Sequence, residues 1–386
     1  MNRTANRARL FVHCSNRPYI DPWRLFWLKE KHVSFRDSPD ERLVEIASFG
    51  SNPGALKAWL FLPTDMDERA PLVVALHGCT QTAKGYALGS GWSQLAERRG
   101  FAVLYPEQQH SNNPNLCFNW FEPADARRGA GEAASISQMV AHVVQSQGID
   151  QNRIFVTGLS AGGAMANAML STYPEIFAGG AIIAGLPYGV AANVAEAFAQ
   201  MQGRNPSNAP KLRSALRRAG HHAGPWPTVS VWHGTHDQTV RPRNADQIVD
   251  QWSGVHATGK EPDRMEVVNG HQHKVWLDAD GRMVIETYSI KGMAHGLPLA
   301  IRGDTSFGRA GPYMLEAGIS STARIARSWG LAFDSDVEAT EFVAAEVSGE
   351  LKLAGNGKRR SPRAGPGDNR VGKIINDALR AAGLLR

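Results

Sequence analysis

Apolar residues along the chain follow two rhythms in turn. Short runs that are continuously apolar, or that alternate apolar with polar, predict strands near 42–48, 56–62, 71–76, 101–105, 153–157, 179–184, 228–233 and 283–290. Between them, 88–99, 131–147, 161–173, 189–202 and 243–252 have helical composition. Pro71 to Leu76 reads Pro-Leu-Val-Val-Ala-Leu, an uninterrupted apolar run suited to a strand buried on both faces. Strands and helices in alternation predict an α/β chain, with a mostly parallel central sheet and helices on both faces. Residues 203–226, with prolines, paired histidines and several basic residues, read as an irregular loop bordering a cleft. No insertion is large enough to make a lid.

The 386 residues carry 42 Lys and Arg against 36 Asp and Glu, a net charge of +6. That surplus lies at the ends: residues 1–36 hold eight basic and two acidic residues, and residues 355–386 hold eight and two, which leaves the middle acidic. The expected organisation is a basic extension at 1–39, one catalytic domain at 40–335 and a segment at 336–370 with a flexible basic linker from Gly355 to Arg370. Residues 371–386 are then expected to form an amphipathic helix, with Val371, Ile374, Ile375, Ala378, Leu379, Ala382 and Leu384 at helical spacing. Lys358, Arg359 and Arg360 form too short a run to imply nucleic acid. No apolar run approaches transmembrane length, and Phe-Val-His-Cys-Ser-Asn-Arg-Pro interrupts the apolar core that a secretory leader needs.

The chemistry begins at Gly158-Leu159-Ser160-Ala161-Gly162, between the strand at 153–157 and an Ala- and Met-rich helix. In a chain with 39 glycines the pentapeptide alone is weak. On a strand-to-helix turn, however, a serine is lifted out of both elements as an exposed nucleophile. A serine needs a base, and the base an orienting acid. Asp237 follows the strand at 228–233, and His295 follows the strand at 283–290 on a glycine-flanked loop. His236 is the rival base, but it adjoins Asp237 and would point away from it. The order Ser160, Asp237, His295 is that of an α/β-hydrolase fold. The strand at 71–76 runs into His77-Gly78-Cys79-Thr80, where Gly78 lets the Cys79 N–H face the site together with that of Ala161, as an oxyanion hole. No metal is implied, because Cys and His lack zinc spacing; no cofactor is implied, because Gly158 to Gly163 is neither a phosphate loop nor a dinucleotide fingerprint.

Five motifs in order, His77-Gly78-Cys79-Thr80-Gln81-Thr82, Leu116-Cys117-Phe118-Asn119-Trp120-Phe121, Gly158 to Gly163, Leu186-Pro187-Tyr188-Gly189 and Gly292-Met293-Ala294-His295-Gly296, resemble the polyhydroxybutyrate depolymerase family of esterases. Feruloyl and acetylxylan esterases are relatives of that family. The resemblance covers about residues 40 to 335 and implies the triad Ser160, Asp237 and His295. It also implies a Cys79–Cys117 disulfide beside the oxyanion hole, leaving Cys14 free. Family members often carry Gly where this chain has Ala294, a small departure. The resemblance and its disulfide favour an extracellular protein, while the lack of a recognisable leader leaves the cytoplasm as the alternative.

The resulting expectation is a serine esterase acting on a polyester, poly-3-hydroxybutyrate or its oligomers, or on a small ester. Feruloyl or acetylxylan ester hydrolysis is the second reading. A non-catalytic polymer- or surface-binding protein on a hydrolase fold is the third. Trp120, Phe121, Tyr188 and Trp226 are the aromatic candidates for gripping an aliphatic chain, whereas Trp232 lies within a strand and is assigned to the core.

Overall fold

The structure is a computed structural model that describes residues 42–204, 206–220, 222–301 and 306–337. The expectations for residues 1–39, the linker at 355–370, the helix at 371–386 and Cys14 lie outside the described residues. The strands are β1 (Val44–Glu45), β2 (Lys57–Phe61), β3 (Leu72–Leu76), β4 (Ala102–Glu107), β5 (Ile154–Leu159), β6 (Gly179–Ile183), β7 (Thr228–Gly234), β8 (Arg264–Val268), β9 (His271–Leu277), β10 (Met283–Ile290), β11 (Leu297–Leu299) and β12 (Met314–Glu316). The helices are α1 (Ala83–Ser90), α2 (Trp92–Arg99), α3 (Pro123–Ala126), α4 (Gly131–Gln147), α5 (Ala161–Thr172), α6 (Val194–Met201), α7 (Ala209–Gly220), α8 (Arg243–His256) and α9 (Ser321–Ser328).

Ten strands form one sheet in the order β1-β2-β4-β3-β5-β6-β7-β10-β9-β8. From β4 across to β10 every neighbour is parallel. The flanks are antiparallel: β1 and β2 at one side, β9 and β8 at the other. The sheet is therefore mixed, and the expectation of a mostly parallel one holds only for its centre. Two of the four antiparallel pairings come from β1 and β2, and the other two from β8 and β9, a hairpin that the strand pattern did not predict. Asn269 (φ 49°) and Gly270 (φ 79°) connect them in the paired left-handed conformation of a two-residue turn.

Burial of both faces follows from the apolar run in β3. Leu72, Val74 and Leu76 join one hydrophobic cluster with residues of α4, α5 and α8, while Val73 and Ala75 join a second with residues of α1, α2 and α9. Helices thus cover both faces, and the strand ends are left as the place for chemistry. Three further expectations are corrected. Residues 88–99 are not one helix: Gly91, at φ 77°, ends α1 by donating its N–H to the Ala87 carbonyl. The helix at 189–202 begins only at Val194, where the Asn193 side chain accepts the Glu196 N–H. The loop at 203–226 contains α7, whose Leu212 and Leu216 are buried one turn apart. Among the described residues, no helix is long and apolar enough to cross a membrane.

Candidate active site

Ser160 is the single residue between β5 and α5, with φ 59° and ψ −117°. Its N–H donates to the Ile183 carbonyl at 2.9 Å, fastening the turn to β6. The flanking glycines are required by close approach. A Cβ on Gly158 would strike the Gly162 backbone, and one on Gly162 would strike the carbonyl oxygens of Leu76 and His77. Strand, turn and helix therefore pack backbone to backbone, with the half-buried Ser160 at the apex.

The loops after β7 and β10 are tied together. Thr235 N–H donates to the Ile290 carbonyl and His236 N–H to the Met293 carbonyl, each at 3.0 Å. This sets His295 over Asp237, with Nδ1 at 2.7 Å from Asp237 Oδ2 and Nε2 at 2.9 Å from Ser160 Oγ. Nδ1 carries the proton, because only a carboxylate faces it. Asp237 is fully buried, and its Oδ1 accepts the N–H groups of Thr239 and Val240 at 2.9 Å each. Burial alone would raise its pKa. The charge of His295, the neighbouring His233 ring and the hydrogen bond from His295 outweigh this and hold the carboxyl well below the ordinary aspartate range. His233, missed by the sequence reading, donates Nε2–H to the Val240 carbonyl at 2.8 Å and lies 3.4 Å from Asp237 Oδ2. Its position one residue before the strand end, four before Asp237, was the available signal. His236 is exposed, with Nδ1 3.1 Å from the Thr235 hydroxyl.

The loop after β3 lies against the elbow, as the Gly162 contact requires. His77 is buried; its Nε2 accepts the Gln108 N–H at 3.1 Å, so Nδ1–H donates to the Gly78 carbonyl at 2.8 Å. Burial lowers the His77 pKa and keeps the ring neutral. With the Gly78 carbonyl held, the trans peptide turns the Cys79 N–H the opposite way. Among the described residues, no protein acceptor meets the N–H of Cys79 or of Ala161. Cys79 is disulfide-bonded to Cys117. Behind the bridge sits Glu132, whose carboxylate accepts the Asn119 N–H, the Asn119 side-chain amide and the Gln108 side-chain amide at 2.6–2.9 Å. Burial pushes Glu132 up to about 8 although these donors favour the charged form. Gln108 also donates to the Cys117 carbonyl at 3.0 Å, so the buried acid braces the loop that the disulfide anchors.

Of the four aromatic candidates, Trp120 is 8% exposed and belongs to the core cluster, edge-on to Phe121. Phe121, Tyr188 and Trp226 are half-buried and pack against that same cluster, which includes Ala161. Gln251 grips the Tyr188 backbone through both its N–H and its carbonyl at 2.9 Å. Trp232 is fully buried and stacks on Tyr288 at 3.8 Å. A cavity of about 400 Å³ lies elsewhere, lined by His273, Met283, Glu286, Tyr288, Arg324 and Phe333 among others. Its acid Glu286 is already bonded to His273 and Ser230, at 2.9 and 2.7 Å, so the cavity is built around an internal ion pair.

A family model described as Esterase PHB depolymerase matches residues 56–260, just over half of the chain. The chain belongs to that family. Poly(3-hydroxyalkanoate) depolymerase C of Paucimonas lemoignei is 44% identical over 292 residues, 75% of this chain and 70% of that protein. Acetylxylan esterase of Coprinopsis cinerea is 32% identical over 268 residues, 67% of this chain and 70% of that protein. Among solved structures, acetyl xylan esterase from Aspergillus awamori superposes with a TM-score of 0.64 at 25% identity, covering 75% of this chain and 99% of that one. The chain is accordingly a carboxylic ester hydrolase of the esterase PHB depolymerase family.

Proposed function

We propose that this esterase hydrolyses short-chain polyhydroxyalkanoate, or its oligomers, on an α/β-hydrolase fold by a Ser160–His295–Asp237 triad. The observation that carries the reading is the His295 ring, hydrogen-bonded through one nitrogen to Ser160 and through the other to Asp237. Ser160 Oγ attacks the ester carbonyl as its proton passes to His295 Nε2. Asp237 holds the tautomer and stabilises the imidazolium. The Cys79 and Ala161 N–H groups receive the oxyanion, each such donor contributing about 3–4 kcal/mol to the transition state. His295 then protonates the departing alcohol, and it deprotonates the water that cleaves the acyl-enzyme.

The substrate class is supported by the 44% identity to a poly(3-hydroxyalkanoate) depolymerase, against 32% to an acetylxylan esterase. Phe121, Tyr188 and Trp226, with Trp120 behind them, would supply the apolar wall for an aliphatic acyl chain. An acetylxylan-type activity is the second reading, favoured by the near-complete coverage of a solved acetyl xylan esterase. Rates on 3-hydroxybutyrate oligomers, polymer suspension, acetylated xylan and methyl ferulate separate the two. Highest kcat/KM on the hydroxybutyrate esters supports the first; preference for acetylated xylan would replace it with the second.

A further inference from the structure

One imidazole beside the triad has no part in the steps described above. His233 is the penultimate residue of β7, 3% exposed, and its Nε2 meets two acceptors: the Val240 carbonyl at 2.8 Å and Asp237 Oδ2 at 3.4 Å. This nitrogen therefore carries the proton, and the shorter contact is its hydrogen bond. The other ring nitrogen, Nδ1, is buried with no hydrogen-bond partner among the described residues. A leucine of similar size would fill the same space without an unpaired polar atom, so the cost of the ring is set against what its Nε2–H does.

That N–H closes a circuit around the acid. Val240 receives the proton on its carbonyl and donates its own N–H to Asp237 Oδ1 at 2.9 Å. Asp237 Oδ2, which holds His295 Nδ1 at 2.7 Å, thus lies between two imidazoles. The circuit starts from fixed backbone: His233 is in register with Ser289 of β10, and a Cβ on the next residue, Gly234, would strike the carbonyl oxygens of Met293 and Ala294. The end of β7 and the backbone leading to His295 are therefore packed against each other. Asp237 sits on the turn beyond, whose far end at Val240 returns to the strand through the His233 ring.

We propose that His233 is a positioning residue for the triad: from a fixed strand its Nε2–H holds the Val240 carbonyl, and through Val240 it sets the direction in which Asp237 presents its carboxylate to His295. This rests on the triad reading above. Asp237 stabilises the imidazolium that forms as Ser160 attacks, so its alignment matters most in the transition state. Misdirecting it lowers kcat and leaves KM in place.

The test compares three substitutions on a hydroxybutyrate ester. His233→Leu fills the space without a donor, His233→Asn stays polar but is too short to reach the Val240 carbonyl, and His233→Gln carries an amide N–H to about the place of Nε2–H. The Leu and Asn variants should each lower kcat about tenfold, the loss expected for one hydrogen bond, with KM within about twofold. His233→Gln should recover most of that loss. In an Asp237→Asn background, His233→Leu should cost less than about twofold more, because the group it positions is already disabled. Wild-type kcat in the Leu and Asn variants, a change confined to KM, no recovery in His233→Gln, or a loss that multiplies fully with Asp237→Asn would each overturn the proposal. If His233→Leu does not fold, the Asn and Gln variants decide between the same outcomes. Should Ser160 of the wild-type protein escape fluorophosphonate labelling, the triad fails and this role with it; normal labelling with indifferent His233 variants discards only the role of His233.

Discussion

Asp237 and His295 share a 2.7 Å hydrogen bond in which the carboxylate is fully buried and its other oxygen is engaged by two backbone N–H groups. In the proposed mechanism the acid performs two tasks, orienting the base and closing its own loop. Asp237→Asn preserves the second, since its amide oxygen still accepts the Thr239 and Val240 N–H groups, but it forces the wrong imidazole tautomer. The expected result is a kcat lower by up to about 10⁴ with a nearly unchanged thermal midpoint. Steady-state kinetics with circular dichroism melting checks this, and an unaltered kcat would remove Asp237 from the mechanism.

Gly162 tests the elbow's packing. Because an added Cβ would meet the Leu76 and His77 carbonyls, both fixed backbone, no side-chain rotation relieves the clash. Gly162→Ala should destabilise by about 1–3 kcal/mol in urea unfolding and reduce kcat as the elbow and the oxyanion loop are forced apart. Wild-type stability together with wild-type kcat would show that the strand-to-helix turn has slack.

The Cys79–Cys117 bridge closes a loop of 38 residues, for which chain entropy predicts a stabilisation of about 3–4 kcal/mol. Replacing both cysteines by serine should reduce the unfolding free energy on that order and lower kcat more than it changes KM. The Gln108 and Glu132 contacts to the Cys117 and Asn119 loop remain, so the variant should still fold. Equal stability with and without the bridge would assign the bracing of this loop to the buried polar network alone.

The residues of the proposed triad were legible in the sequence because each follows a strand with a clear apolar pattern: Ser160 after β5, Asp237 after β7, His295 after β10. Periodicity finds strand ends, and strand ends are where a parallel sheet exposes chemistry. The β8–β9 hairpin was also written in the chain, as Asn269-Gly270 between Val267-Val268 and a strand with alternate residues buried. Prolines and histidines around α7 hid a Leu212–Leu216 spacing that marks a helix face. Tyr313 offered no local pattern. Its left-handed backbone and its edge-on contact with the His295 ring arise from tertiary packing.

Glu132 should give the fold a pH signature. Its native pKa, about 8, lies above the ordinary glutamate value, so its proton stabilises the fold fully below about pH 4.5, and that contribution is lost as pH rises through about 8. Glu132→Gln carries no titrating group there. Urea unfolding from pH 4.5 to 9 should therefore show wild type losing stability relative to the variant, on the order of a few kcal/mol across the range. A difference between the two proteins that is flat with pH would mean that Glu132 does not titrate in this window.

In the proposed mechanism Ser160 is activated by His295 and forms an acyl-enzyme. Fluorophosphonate labelling followed by peptide mass mapping tests it most directly, run on wild type, Ser160→Ala and His295→Ala beside turnover of a hydroxybutyrate ester. One phosphonyl group per chain is expected, on Ser160, with labelling and turnover lost together in both variants while their thermal midpoints stay near wild type. Full turnover in Ser160→Ala, or stoichiometric labelling at a residue other than Ser160, would contradict it.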